Sequence, residues 1–362
     1  MSKTNPKQID LALQGGGSHG AITWGVLNRL LEDDRLAIEG ISGTSAGALN
    51  AVIVADGLHR GGRDGAREAL HGFWHAVSDA GRFSPIQRSF WDKLGGNFSL
   101  DKTPSYLFFE SLSQVFTPGQ LNPFAINPLR NMLSKHIDFD RINAPESIKI
   151  YVTATNVRTG RPHIFRQPHL SVDTVMASAC LPTMFDAVAI DGESYWDGGY
   201  SGNPALYPLV DDCLARDLMV VLINPLVRQM LPETAGEITN RVNEITFNSS
   251  LIKDLRSIYL LHQLIDAEDL ELDRYRDMRL HLIHCEEDVQ GLSASSKLNT
   301  EWLYLTQLRD TGWSWADDWL AEHYDALGEE STFDLDTLFE NAIRPLHHVK
   351  PAVEANRPQP GR

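Results

Sequence analysis

Three short segments of this 362-residue chain carry residue types able to do chemistry at a telling spacing. In GTSAG, residues 43–47, Ser45 lies between Gly43 and Gly47. That G-x-S-x-G pattern lets a strand turn sharply into a helix and hold a serine hydroxyl out at the bend. A serine hydroxyl is a poor nucleophile until a base accepts its proton. Asp197, in YWDGGYSGNP, is the candidate base, because Gly198 and Gly199 permit a tight turn that aims a carboxylate. The third segment is LALQGGGSHGA, residues 11–21, where an apolar run stops at Gln14 and three glycines precede Ser18, His19 and Gly20.

A strand, then glycines, then a helix start exposes backbone N–H groups at the positive end of a helix dipole, a place that holds negative charge. Three readings of the glycine loop are open. Gly15, Gly17 and Gly20 satisfy G-x-G-x-x-G, and Glu39 falls near the position of a ribose-binding acid, which fits a dinucleotide-binding oxidoreductase. A plain tight turn would also call for glycine. An oxyanion hole would use the same N–H groups for charge that develops only during acyl transfer. GTSAG follows the loop closely, Ser45 standing 28 residues after Gly17 (45 − 17). Two adjacent parallel strands would set both loops at the carboxyl edge of one sheet, where such sheets bind ligands. This pairing favours acyl transfer. A Ser–Asp–His arrangement drawing on His281 or His284 is the rival within hydrolases.

The elements that must position these segments follow from periodicity. Residues 9–13, 148–157, 217–224 and 279–285 read as strands, and 21–31 as a helix with Ile22, Val26, Leu27 and Leu30 on one face. ALNAVIVA continues from GTSAG as a second helix. Strand–helix alternation predicts an α/β fold, a three-layer sandwich with a mostly parallel central sheet and a helical C-terminal extension. Residues 1–230 are expected to form the catalytic domain, with 81–124 as a candidate cap or insertion. Its aromatics Phe83, Phe90, Trp91, Phe98, Tyr106, Phe108 and Phe109 could line an acyl slot or touch a membrane surface; core packing is the blander account. Residues 231–362 are expected to be acidic and mostly helical, with a late strand at 279–285. Trp315 and Trp319 there suit core packing or a subunit interface, and Ser314 with Asp317 resembles a capping box restarting a helix after Gly312.

Composition narrows the function classes. The net charge is −16, and 231–362 alone holds 25 acidic and 12 basic residues, a net of −13. Nothing resembles a basic footprint for nucleic acid, and simple charge attraction to an anionic membrane is disfavoured. Cys180, Cys213 and Cys285 show neither disulfide nor metal-ligand spacing, so no metal is expected and a reducing, cytoplasmic setting fits. The N-terminal residues lack the apolar centre of a signal peptide.

GGGSHG, GTSAG and DGG, in this order, resemble the patatin-like phospholipases, as does ASACLPTMF ahead of the Asp-Gly pair. The resemblance covers about residues 9–204. It implies a Ser45–Asp197 dyad, an oxyanion hole at Gly15, Gly16 and Gly17, and lipid ester hydrolysis without a cofactor. His19, Gly20, Gly43, Gly47, Gly198 and Gly199 would support the motifs. The family usually carries Arg or Lys where this chain has His19, a departure that bears on headgroup preference and pH dependence. The implied substrates are phospholipids or lysophospholipids; esters, thioesters or a storage polyester offer the same carbonyl. Transient contact with a lipid surface and a homo-oligomer are further expectations.

Overall fold

The computed structural model describes residues 5–82, 87–88, 98–101, 103, 105, 107–108, 112, 116–122, 127–228, 231–268, 277–293 and 295–343. Eight strands form one mixed sheet: β1 (Lys7–Leu13), β2 (Leu36–Thr44), β3 (Lys149–Asn156), β4 (Pro162–Arg166), β5 (Val188–Ile190), β6 (Glu193–Asp197), β7 (Asp217–Val221) and β8 (Arg279–Ile283). The order is β5-β6-β3-β2-β1-β7-β8, with β4 paired to β3. The five strands β3, β2, β1, β7 and β8 are mutually parallel, whereas β4, β5 and β6 join by antiparallel pairing.

The helices that matter here are α1 (Gly20–Glu32), α2 (Ala46–Gly81), α3 (Val172–Ser178), α4 (Ala235–Glu268), α5 (Trp302–His323) and α6 (Leu335–Ile343). Helix α2 is kinked at Gly61 and Gly62, whose backbones leave the helical region. Side chains alternate along a strand, so a sheet covered on both faces needs apolar residues in both registers. The sequence provides them. Ile9, Leu11, Leu13, Met219 and Val221 enter a core with Trp24, Leu27, Val52 and Trp319 from α1, α2 and α5. Ala12, Leu218, Val220 and Leu280 enter a second core on the opposite face with Leu251, Leu255 and Phe339 from α4 and α6. The result is the expected three-layer sandwich. The late strand β8 pairs with β7 at the edge of the same sheet, so residues C-terminal to 230 complete it.

Helices α1 and α5 approach so closely that a Cβ on Gly312 would sit 1.9 Å from Ile22 O, and one on Gly25 would sit 1.9 Å from Arg309 O. The expected helix restart after Gly312 is not found: α5 runs unbroken through Gly312 and Ser314. Gly312 is there for close approach to α1, and Asp317 is engaged by Arg29 at 2.6 Å. Trp315 and Trp319 are buried core residues. Gly312→Ala should therefore destabilise the fold by about 1–3 kcal/mol through overpacking, read as a lower denaturant midpoint at unchanged slope.

Of the aromatics expected in a cap, Phe83, Phe90, Trp91, Tyr106 and Phe109 lie outside the described residues. Phe98 stacks on Tyr304 at 4.8 Å between centroids, and Phe108 is exposed. No helix among the described residues is long and apolar enough to cross a membrane.

Candidate active site

Strand register brings the three segments together. Leu13 pairs with Gly43 on one side and with Val221 on the other, so β1, β2 and β7 end level at the carboxyl edge. Thr44, the last residue of β2, pairs with Thr153, and Asp197, the last of β6, pairs with the next residue, Ala154. Strand β3 thus acts as a ruler that sets Ser45, directly after Thr44, beside Asp197. Two further bonds lock β2 to the turn after β6: Thr44 Oγ1 donates to Gly202 O at 2.7 Å, and Ser42 Oγ donates to Ala205 O at 2.6 Å.

Ser45 has φ 53° and ψ −119°, a conformation that L-residues rarely adopt. Its flanking glycines are needed for close approach. A Cβ on Gly47 would lie 2.1 Å from Leu13 O, and one on Gly43 would meet the Gly47 backbone at 2.6 Å. The Ser45 N–H donates to Ser178 Oγ at 2.9 Å, which fixes the bend. Ser45 keeps some exposure while its neighbours on both sides are buried.

The Asp197 carboxylate is buried and accepts the Gly199 N–H at 2.8 Å. Its backbone N–H donates to Cys180 O at 2.8 Å, which is where the small-residue segment before the Asp-Gly pair enters the site. Burial raises the Asp197 pKa to about 6; the Gly199 bond, the nearby Ser45 side chain and the charge of Lys297 act in the opposite direction.

The glycine loop lies against the same point. A Cβ on Gly15 would fall 2.8 Å from Ser45 Cβ. Gly17 takes φ +58°, a backbone that favours glycine. At Gly15 the structure corrects the sequence expectation. Its N–H is already donated to Asn203 Oδ1 at 2.7 Å and so cannot also serve an oxyanion. Gly16 and Gly17 retain N–H groups that no acceptor among the described residues takes. Around them stand residues that the motifs did not flag. Gln14 Oε1 accepts from the backbone N–H groups of Ile223 and Asn224, both at 2.9 Å, and its Nε2 donates to Asn248 Oδ1 at 2.8 Å. Asn224 Nδ2 donates to Gly15 O at 2.9 Å. Asn203 follows DGGYSG closely enough to be a sequence candidate; Gln14, Asn224, Asn248 and Ser178 carry no pattern of their own.

His19 is buried, with Nε2 2.8 Å from Ser296 Oγ. Burial first, and then the Lys297 charge, push its imidazole well below the ordinary range, so it is neutral. Gly20 touches the helix that follows Ser45, since a Cβ there would lie 2.6 Å from Ala46 Cβ.

The two rival readings lose their residues. Glu39 lies within β2, short of its carboxyl end, and accepts from Lys149 Nζ, Leu214 N and Ala215 N, so it faces no ligand at the glycine loop. His281 is buried between Asp217 Oδ1 and Thr332 Oγ1, each at 3.0 Å, and His284 lies between Leu222 O and Glu286. Neither reaches the Ser45–Asp197 pair. Hydrogen bonds from His281 and Arg279 hold Asp217 well below the usual carboxylate range, against the effect of burial. His281→Ala should therefore leave kcat within a few-fold while lowering stability by about 1–3 kcal/mol, because a buried carboxylate loses a partner; a Ser–Asp–His enzyme would lose nearly all turnover.

A family model described as patatin-like phospholipase matches residues 11–210, more than half of the chain. The chain belongs to the patatin-like phospholipase family. Among solved structures it is similar to VipD from Legionella pneumophila, at 16% identity and TM-score 0.36 over 85% of this chain and 67% of that one. It is also similar to the heterodimeric ExoU–SpcU complex from the type III secretion system of Pseudomonas aeruginosa, at 18% identity and TM-score 0.31. That match covers 90% of this chain but 62% of the other, less than two thirds of its length. No curated protein matches the sequence. Membership of the patatin-like family removes the dinucleotide reading of the glycines.

Proposed function

We propose that the protein is a lipid acyl hydrolase in which Ser45 is the nucleophile and Asp197 its general base. The observation that carries this reading is the strand register that brings Ser45, at its strained bend, beside the buried Asp197 carboxylate at the carboxyl edge of the sheet. Ser45 Oγ attacks the ester carbonyl carbon, the C–O bond forms, and the hydroxyl proton passes to Asp197. The carbonyl electron pair moves to oxygen, where the Gly16 and Gly17 N–H groups can receive it. Collapse of the tetrahedral species breaks the bond to the alcohol, which leaves with the proton from Asp197. Water then repeats the sequence on the acyl-enzyme.

Burial suits Asp197 to this work. A carboxylate with a pKa near 6 is a stronger base than an ordinary aspartate, yet it remains mostly ionised at pH 7. Its Gly199 bond fixes one oxygen of the carboxylate.

The substrate class proposed is a phospholipid or lysophospholipid ester. A panel of phosphatidylcholine, lysophosphatidylcholine, a medium-chain p-nitrophenyl ester, an acyl thioester and a polyhydroxyalkanoate granule, each assayed at equal carbonyl concentration, tests it. Highest kcat/KM on the two phospholipids is the expected outcome. Preference for the thioester or polyester would move the protein to another acyl substrate of the same dyad, and no turnover of any would remove the hydrolase reading.

A further inference from the structure

We propose that Lys297, reaching the glycine loop from the C-terminal part of the chain, is the fixed counter-ion of the reaction, matching the negative charge as it moves from Asp197 to the oxyanion. The inference rests on the Ser45–Asp197 reading above.

Lys297 belongs to a single turn, Ser295–Leu298, that packs against the glycine loop. A Cβ on Gly17 would lie 2.6 Å from Lys297 O and 3.2 Å from Lys297 Cβ. The ammonium donates to Asn224 Oδ1 at 2.8 Å, and Asn224 in turn donates to Gly15 O. The lysine is therefore wired to the loop through one amide side chain. Ser296, its neighbour in sequence, bonds His19. The turn thus takes hold of the glycine motif at Gly15, Gly17 and His19.

Lys297 is half-buried, and a partly desolvated ammonium favours a negative partner. The carboxylates whose charges act on Lys297 are Glu244 and Asp197. Glu244 is already held by Arg228 Nη2 at 2.5 Å and by Arg241 Nη1 at 3.1 Å. Arg228 also opposes the lysine's charge, and His19 beside it is neutral. Asp197 is thus the carboxylate left for Lys297 to balance. The groups whose charge or bonding is coupled to Asp197 are Ser45, Gly199, Lys297 and two neutral groups, the Cys180 thiol and the Tyr200 phenol, both shifted upward by burial and by the Asp197 charge.

Charge is conserved along the reaction. Before attack, Asp197 is −1 and Lys297 is +1. After attack, Asp197 is neutral, the oxyanion is −1 and Lys297 is still +1. A fixed cation in a water-poor site needs no reorganisation as the charge crosses it. Burial lowers the Lys297 pKa to about 8, so the cation is present through neutral pH and lost above that. This supplies from a distant segment the positive charge that His19 does not carry.

The test compares Lys297→Met and Lys297→Arg with the wild type and Ser45→Ala, using p-nitrophenyl butyrate from pH 5 to 10 with melting temperatures for each. Lys297→Met should lose about 10- to 100-fold in kcat, with KM changed far less, a fraction of what a lost oxyanion donor removes. Its acid limb should move up in pH, because Asp197 loses a charge that favours ionisation. Lys297→Arg should keep the acid limb and hold activity above pH 8, since arginine does not deprotonate there. A folded Lys297→Met with wild-type kcat and acid limb, beside an inactive Ser45→Ala, overturns the Lys297 role alone. Should Lys297→Met not fold, an alkaline fall in Lys297→Arg identical to that of the wild type overturns it. An active Ser45→Ala overturns the underlying dyad and the counter-ion with it.

Discussion

Ser45→Ala is expected to lower kcat/KM on any accepted ester by at least ~10³-fold while leaving the protein folded, because the proposed acyl bond is made to Ser45 Oγ. A second substitution makes the result specific. The backbone at Ser45, with φ 53° and ψ −119°, is strained for any residue bearing a Cβ. Such strain is worth on the order of 1–3 kcal/mol and persists where surrounding structure over-determines it. Ser45→Gly should thus be as inactive as Ser45→Ala but more stable, by about 1 kcal/mol after the extra freedom of glycine in the unfolded chain is subtracted. Denaturant midpoints for the pair check this. Loss of turnover with a gain in stability is the behaviour of a residue kept for chemistry. If both variants lost stability equally, Ser45 would be a packing residue.

Asp197→Asn should be nearly as damaging as Ser45→Ala, since the two act as one unit and an amide cannot accept the proton, so a loss of at least ~10³-fold is expected. The wild type supplies the matching pH signature. The Asp197 pKa is raised from 3.8 to about 6 by burial. As pH falls through that value the carboxylate takes up a proton and ceases to be a base. kcat/KM should then drop about tenfold per pH unit below the limb. The residual rate of Asp197→Asn should show no such limb. Stability carries the same sign. A folded-state pKa above the unfolded value means that the native protein holds the proton more tightly, so ionisation of Asp197 between pH 4 and 6 lowers stability as pH rises. Asp197→Asn, neutral throughout, should lack this fall in stability with rising pH, as thermal unfolding of both proteins at pH 5 and pH 7 would show.

The reaction motifs were legible because each is contiguous and has a local backbone reason. Gly43 and Gly47 flank a bend that no larger residue fits, and Asp197 precedes two glycines. The strands at Ile9, Ile150, Leu218 and Leu280 were legible from their dense apolar residues, since a parallel sheet covered on both faces needs them. What the chain order hid was register. That Thr44 and Asp197 align with adjacent residues of β3 depends on two pairings across 109 residues (153 − 44) and 43 residues (197 − 154). The same pairing draws Asn203 onto Gly15 and takes one expected oxyanion donor out of use. Lys297 was invisible for a related reason. It stands 252 residues beyond Ser45 (297 − 45), in SASSKLN, where no spacing marks a site. The Ser314–Asp317 pair misled in the opposite way. Its local pattern suits a helix start, but burial of Trp315 and Trp319 against the sheet keeps α5 continuous. Tertiary packing there outweighs a capping preference of about 1 kcal/mol.

The most direct measurement is covalent capture at the serine. The full-length protein is treated with a fluorophosphonate, which reacts with activated serine hydroxyls, and the adduct is located by peptide mass spectrometry. A single phosphonyl group on Ser45, absent in Ser45→Ala and strongly reduced in Asp197→Asn, is the result predicted here. Ester hydrolysis that persists while Ser45 stays unlabelled, or an adduct on a different serine that abolishes activity, would contradict it.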